Sequence, residues 1–166
     1  MFRIAATAAV LLASAISALA APPTAAVFDF QFSNLSPVPT DAADIARLER
    51  VSDEFRMLLK EKGLFTVVST APVRAEVSKG PRLRQCNGCA ETFVRKLGAD
   101  VAITGEVQKV SNLILNLNVY VKPLSSQSVE KAYSVDLRGD TDESFDRGIR
   151  FLVRNNMEAD NSLGHQ

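Results

Sequence analysis

Val101-Ala102-Ile103-Thr104-Gly105-Glu106-Val107-Gln108-Lys109, followed by Leu113-Ile114-Leu115-Asn116-Leu117-Asn118-Val119-Tyr120-Val121, is the stretch whose reading decides the fold. From Val101 to Leu137 the apolar residues keep to odd-numbered positions: Val101, Ile103, Val107, Leu113, Leu115, Leu117, Val119 and Val121, then Val129, Tyr133, Val135 and Leu137. A period of two over that distance predicts a sheet with one face buried. The even positions carry Glu106, Gln108, Asn116, Asn118, Tyr120, Ser134, Asp136 and Arg138, so a dry face is expected to back a wet one. Turn-type compositions at Ser111-Asn112 and Ser125-Ser126-Gln127 divide the stretch into three antiparallel strands.

Moving outward toward the amino terminus, a helix is predicted from Asn87 to Leu97, burying Phe93, Val94 and Leu97 and stopping at Gly98. The span from Ala71 to Gln85, with Pro72, Gly80 and Pro81, reads as irregular and is rich in basic residues. Leu64 to Val68 reads as a short strand. Ile45, Leu48, Val51, Phe55, Leu58 and Leu59 form one helical stripe, with Thr40 or Asp41 as N-cap and Gly63 just past the end. Ala25 to Phe32 reads as a first strand with Phe28, Phe30 and Phe32 on one face, and as an edge at which a second copy would pair. Downstream, Asp140 and Glu143 have the spacing of a capping box opening a last helix, with Phe145, Ile149 and Leu152 inward. The expected architecture is therefore α+β, a β-α-β-α-β-β-β-α mixed sheet with helices packed on one face.

Residues 1–20 stand apart, because Arg3 leads an apolar, Ala-rich run ending in the small-x-small triplet Ala18-Leu19-Ala20. They read as a secretory signal peptide cleaved after Ala20, which leaves a single domain over 21–157 and a polar, frayed tail over 158–166. No cysteine stands at the cleavage point to accept a lipid. A periplasmic or secreted location follows, with no integral membrane span after cleavage. Without Arg3, 18 basic side chains face 19 acidic ones, a balance that excludes an electrostatic nucleic-acid binder.

Ala26-Val27-Phe28-Asp29-Phe30, Gly63-Leu64-Phe65-Thr66-Val67-Val68 and Leu97-Gly98-Ala99-Asp100 with Thr104-Gly105-Glu106-Val107 together resemble the TolB amino-terminal domain and the related CsgG-like module. More narrowly, Cys86-Asn87-Gly88-Cys89 joined to Lys109-Val110-Ser111-Asn112-Leu113-Ile114-Leu115-Asn116 is similar to a family of small secreted proteobacterial proteins of unknown function. The broader resemblance implies an α+β fold and contact with another envelope protein. The chain departs from those relatives in lacking a propeller domain, a lipid-bearing cysteine and pore-forming hairpins.

The conspicuous chemical motif is the pair Cys86 and Cys89. In an exported protein two cysteines one turn apart predict a disulfide pinning a loop to a helix. The alternative is a thiol-disulfide redox protein, with Arg82, Arg84 and a helix start lowering the pKa of Cys86 as attacking thiol and Cys89 resolving. Ala90 occupies the position where c-type haem attachment needs histidine, and the sole histidine, His165, lies in the tail, which leaves a zinc shell or a nucleophile-base pair without members. Asp140, Asp142 and Glu143 are explained by a helix start, and no phosphate-binding glycine pattern is present. No metal and no cofactor are expected, and no catalytic residue is assigned. Candidate binding residues are instead those of the wet face: Gln108, Asn112, Asn116, Asn118 and Tyr120. Asn is a poor strand former, so its repeated use in a strong strand points to a hydrogen-bonding platform for a protein, a small ligand or a glycan. The expected function is that of a non-enzymatic binding or accessory module contacting another, unidentified envelope protein.

Overall fold

A computed structural model describes residues 21–125 and 127–160 of the 166. The predicted signal peptide and residues 161–166 of the predicted tail, His165 among them, lie outside the described residues. Six strands form one mixed sheet: β1 (Thr24–Val27), β2 (Gln31–Asn34), β3 (Thr66–Val68), β4 (Val101–Lys109), β5 (Leu115–Pro123) and β6 (Lys131–Leu137). The order is β3-β1-β4-β5-β6, with β2 following β1 along the same side of β4. Strands β1, β2 and β4 run parallel, while β4, β5 and β6 form the expected antiparallel meander. The helices are α1 (Ala42–Glu61), a short α2 (Arg74–Lys79) after a 3₁₀ turn, α3 (Cys89–Leu97), and α4 (Asp142–Phe151), which continues as a π-helical turn to Met157. The α+β class and the mixed sheet are those read from the sequence.

The odd-numbered periodicity is realised over β4 and β5. Val101, Ile103, Val107, Leu115, Leu117, Val119 and Val121 join one core with Leu48, Val51, Phe55 and Leu59 of α1, Phe145 and Ile149 of α4, and Leu152 of the π-helical turn that continues it. Two members of the pattern depart from it. Leu113 and Val129 are each 79% exposed because they fall in the connections, where strand alternation no longer governs direction. A second core lies on the opposite face, where Ala90 and Val94 of α3 meet Ala26, Phe28, Ala102, Val73 and Leu83. Helices thus cover both faces at the β1 and β4 end. The small side chains of Ala26 and Ala102 are what admit α3 there, and this is why the wet face begins only beyond Ala102.

The expected first strand is broken in two by one extra residue. Val27 pairs with Ile103 and Gln31 with Glu106, so four steps on one strand oppose three on the other. This bulge reverses the pleat, a rare device in a parallel pair. Phe28 consequently faces α3, and not the side shared by Phe30 and Phe32. Helix α1 satisfies the backbone groups that the bulge frees: Ser52 Oγ accepts from Phe30 N–H at 2.9 Å, and Arg56 donates to the Val27 carbonyl at 3.1 Å. Asp29, turned outward, pairs with Arg56. Gly105 lets the Phe30 ring lie directly on β4, where a Cβ would collide with it. The edge assignment for Ala25 to Phe32 is corrected for β1, which is flanked by β3 and β4 and is interior, while Gln31 and Phe32 belong to β2, which pairs with β4 alone.

Helix ends follow local chemistry. Asp41 caps α1, and a reciprocal bond from its N–H to Asp44 completes a capping box. The cap of α4 is Thr141, accepting from Ser144 N–H, and not the predicted Asp140 with Glu143. Asp140 is drawn instead to Lys109, at 2.5 Å. Helix α3 begins two residues later than expected, after Gly88, whose φ of 84° suits glycine. Of the predicted tail, Glu158 pairs with Lys62, and Asp160 accepts from the Tyr133 hydroxyl.

Candidate functional site

The even residues of the meander form rungs across the face opposite α1 and α4. Gln108, Asn116 and Asp136 stand abreast, as do Glu106, Asn118 and Ser134, then Thr104, Tyr120 and Ala132. Asn116 is fixed at the centre, donating to Asp136 at 2.8 Å and accepting from Ser134 at 3.0 Å. Gln108 donates to Glu106 at 3.2 Å, and Glu106 faces Arg82 at 3.5 Å. The Arg84 guanidinium lies 3.6 Å from the centroid of the Tyr120 ring and pairs with Glu130 at 2.9 Å. Four of the five predicted residues, Gln108, Asn116, Asn118 and Tyr120, therefore share one half-buried surface. Asn112 does not join them. It sits in the β4–β5 turn, where its carbonyl accepts from Asp140 N–H at 2.9 Å.

The face has two different ends. At the Tyr120 end, the segment carrying Cys86 and Cys89 closes over the sheet and leaves a cleft of about 330 Å³ lined by Arg84, Cys86, Glu91, Thr104, Lys122 and Glu130. The two cysteines are joined in a disulfide, with Cα atoms 5.6 Å apart. The cations expected to favour a thiolate are engaged elsewhere, Arg82 with Glu106 and the Phe32 carbonyl, Arg84 with Glu130 and Tyr120. Lys122 pairs with Glu91, whose carboxyl burial alone would raise, while Lys122 and the Glu91 backbone N–H hold it below its ordinary value. Every charge lining the cleft is thus matched. A larger groove of about 570 Å³ lies beside Pro23, Phe65 and Val121, away from the polar rungs. Its Asp100 is engaged by Thr24 at 2.5 Å.

At the other end the rungs stop at the apolar β4–β5 turn. Leu113 is 79% exposed and Ile114 62%, and Val110 is exposed beside them. Leu35, 68% exposed, is held against this knuckle by its N–H bond to the Lys109 carbonyl, 2.8 Å. Beneath it lies a buried ionic cluster. Lys109 Nζ reaches Asp44 at 3.1 Å and Asp140 at 2.5 Å, and Arg47 bridges Asp44, Asp140 and Asp142. Burial on its own pushes the Asp44 carboxyl up and the Lys109 ammonium down. The hydrogen bonds and opposite charges overcome this, leaving Asp44 below its ordinary pKa and Lys109 above. Sequence reasoning overlooked Lys109, although a lysine at an odd position of an otherwise apolar pattern was the available signal. Among the described residues no group of three or more His, Cys, Asp or Glu side chains is placed to hold a metal ion.

These features define a mixed-sheet α+β module that presents a hydrogen-bonding face with an apolar rim. The chain belongs to the DUF3280 family, described as protein of unknown function (DUF2380), whose model matches residues 23–157. No curated protein matches it. Among solved structures, lipoprotein GNA1162 from Neisseria meningitidis is similar in fold at 14% identity, with a TM-score of 0.51 over 84% of this chain and 98% of that one. The LpoB C-terminal domain from Salmonella enterica aligns at 15% identity, TM-score 0.41, over 72% of this chain and 86% of that domain. The Escherichia coli domain aligns at 16% identity, TM-score 0.41, over 68% and 82%. The narrower of the two resemblances, to a family of unknown function, is the one the family match upholds. No helix among the described residues is long and apolar enough to cross a membrane.

Proposed function

We propose that this protein is a non-enzymatic accessory module of the cell envelope that binds another envelope protein through the rungs of Gln108, Asn116, Asn118 and Tyr120 and the adjoining apolar knuckle. The observation that carries this reading is the continuity of the two surfaces. The exposed Leu113, Ile114, Val110 and Leu35 begin two residues beyond the Gln108–Asn116 pair, just past Lys109 and Leu115. Hydrogen-bonding groups beside a contiguous aliphatic patch have the composition of a protein-contact surface. The predicted signal peptide supports a periplasmic or secreted location, and the fold shared with lipoprotein GNA1162 supports an envelope setting. Small-ligand or glycan binding and a dithiol activity of Cys86 and Cys89 are the competing readings.

The decisive experiment is crosslinking in the living cell from Asn118 and Leu113, with identification of the captured protein. Leu113→Ser with Asn118→Ala is expected to leave the fold unchanged and to remove the captured partner. Survival of every crosslink in that variant overturns the proposal. So does a thiol-disulfide activity that disappears in Cys86→Ser.

A further inference from the structure

The cleft beneath the Cys86–Cys89 segment holds polar groups whose bonding is incomplete. Thr104 lies on its floor and is 5% exposed, yet the Thr104 hydroxyl has no hydrogen-bond partner among the described residues. No unpartnered side-chain oxygen or nitrogen among those residues is sealed from solvent, so this hydroxyl opens into the cleft. One wall is the start of α3, where Gly88, Ala90 and Glu91 line the cleft. Gly88, the N-cap, brings no side chain to the first turn. The Glu91 N–H is met by its own carboxylate, while the N–H groups of Cys89 and Ala90 bond to no other described group. Free N–H groups at the positive end of a helix dipole attract an anion. The ion pairs beside them are not saturated either. Lys122 bonds to Glu91 and Arg84 to Glu130, which leaves each cation with N–H donors, and Glu130 with lone pairs, still to share.

We propose that this cleft binds a small zwitterion of the α-amino-acid class, its carboxylate received by the start of α3 and the Thr104 hydroxyl and its ammonium by Glu130. Charge selects the class. Arg84 and Lys122 balance Glu91 and Glu130, so a ligand with net charge would leave the cleft unbalanced, whereas a dipolar one leaves it neutral. Size agrees with charge, because about 330 Å³ lies at the small end of the range of ligand sites, roughly 300–1,000 Å³. Ala90, Ala102 and Leu83 supply an apolar lining for the ligand's side chain. The cleft lies at the Thr104 end of β4 and the apolar knuckle beyond its Lys109 end, so this site is additional to the partner surface and does not depend on it.

The test titrates the purified full chain with the common α-amino acids, one at a time, and follows the backbone amide resonances. At least one is expected to bind saturably at millimolar concentration or below, with the largest shifts at Ala90, Thr104 and Lys122. For that amino acid, the acid lacking its amino group and the amine lacking its carboxyl group are each expected to bind at least about tenfold more weakly. Thr104→Val is expected to weaken binding about fivefold while leaving the urea midpoint unchanged or higher, because the hydroxyl it removes has no partner in the fold. Glu130→Gln is expected to weaken binding of the amino acid but to strengthen that of the simple acid, since Arg84 is then released to meet it. The proposal is overturned if no amino acid binds, if the simple acid or amine binds equally well, if Thr104→Val binds undiminished, or if its urea midpoint falls. No partner protein is present in the titration, so these outcomes are separate from those of the crosslinking.

Discussion

Lys109 closes β4 at an odd-numbered position, where alternation turns its side chain into the interior. It is 3% exposed, and two carboxylates meet it there. Removing one member of such a cluster leaves uncompensated charge in a desolvated site, which costs more than the intact cluster contributes. Lys109→Met should lower the unfolding free energy by about 3 kcal/mol in urea, the lower part of the range for broken buried pairs, because Arg47 still neutralises Asp140. Gly105 is constrained by shape in place of charge. A methyl group there meets the Phe30 ring, itself wedged edge-on against Phe55 with centroids 5.5 Å apart, so the ring has nowhere to retreat. Gly105→Ala should cost about 1–3 kcal/mol by the same measurement. Gly148→Ala, which presses on the far end of the Leu137 side chain and touches Val135 at an ordinary contact distance, should cost less.

At the scale of elements, the break between β1 and β2 is held by α1. Ser52 is fully buried, accepts from Phe30 N–H, and donates to the Leu48 carbonyl at 2.6 Å within its own helix. Ser52→Ala keeps the helix but orphans a buried N–H, and should destabilise the protein by about 1–3 kcal/mol with fastest amide exchange at Phe30. The elements also show what could be read beforehand. The meander, α1 with its Asp41 cap, and the Gly98 stop were legible because each rests on a local period or a capping residue. The split of the first strand was not, because Val27-Phe28-Asp29-Phe30 alternates as well as any strand, and the reason for the extra residue lies on α1 and at Gly105. Thr141 displaced Asp140 as a cap for a similar reason, since the competing attraction comes from Lys109, far away in sequence. Four of the five candidate binding residues share a face because period two placed them there. Asn112 was assigned by proximity alone, and the turn took it elsewhere.

For the whole molecule, the ionic groups set the pH range of stability. Asp44, Glu91 and Asp142 are held below their ordinary pKa, so their contribution is complete above about pH 4 and is lost as pH falls through their folded values. Lys109 is held above its ordinary value, so its contribution is complete below about pH 10 and is lost as pH rises beyond it. Glu54, raised by burial against the pull of Arg150, works in the opposite sense on the acid side. Urea midpoints should accordingly be level between about pH 5 and 9 and fall below about pH 4. The gap between the wild type and Lys109→Met should narrow in acid, because protonation of Asp44 removes the buried charge that the variant leaves with only the longer, 3.5 Å contact to Arg47. A gap independent of pH would show that the cluster does not act as an electrostatic unit.

The bulge at Asp29 has a further consequence, in the currency of insertions and deletions. Upstream of it, Ala25 and Val27 point toward α1 and α4, and downstream Phe30 and Phe32 do so, with the phase between them slipped by one. Shortening the chain by that single residue makes three steps face three between the Val27–Ile103 and Gln31–Glu106 pairs, so Ala25, Val27, Phe30 and Phe32 fall into one regular alternation toward α1 and α4. Deletion of this one exposed, hydrophilic position is therefore expected to keep both layers inward, at the loss of the Asp29–Arg56 pair but of no core side chain.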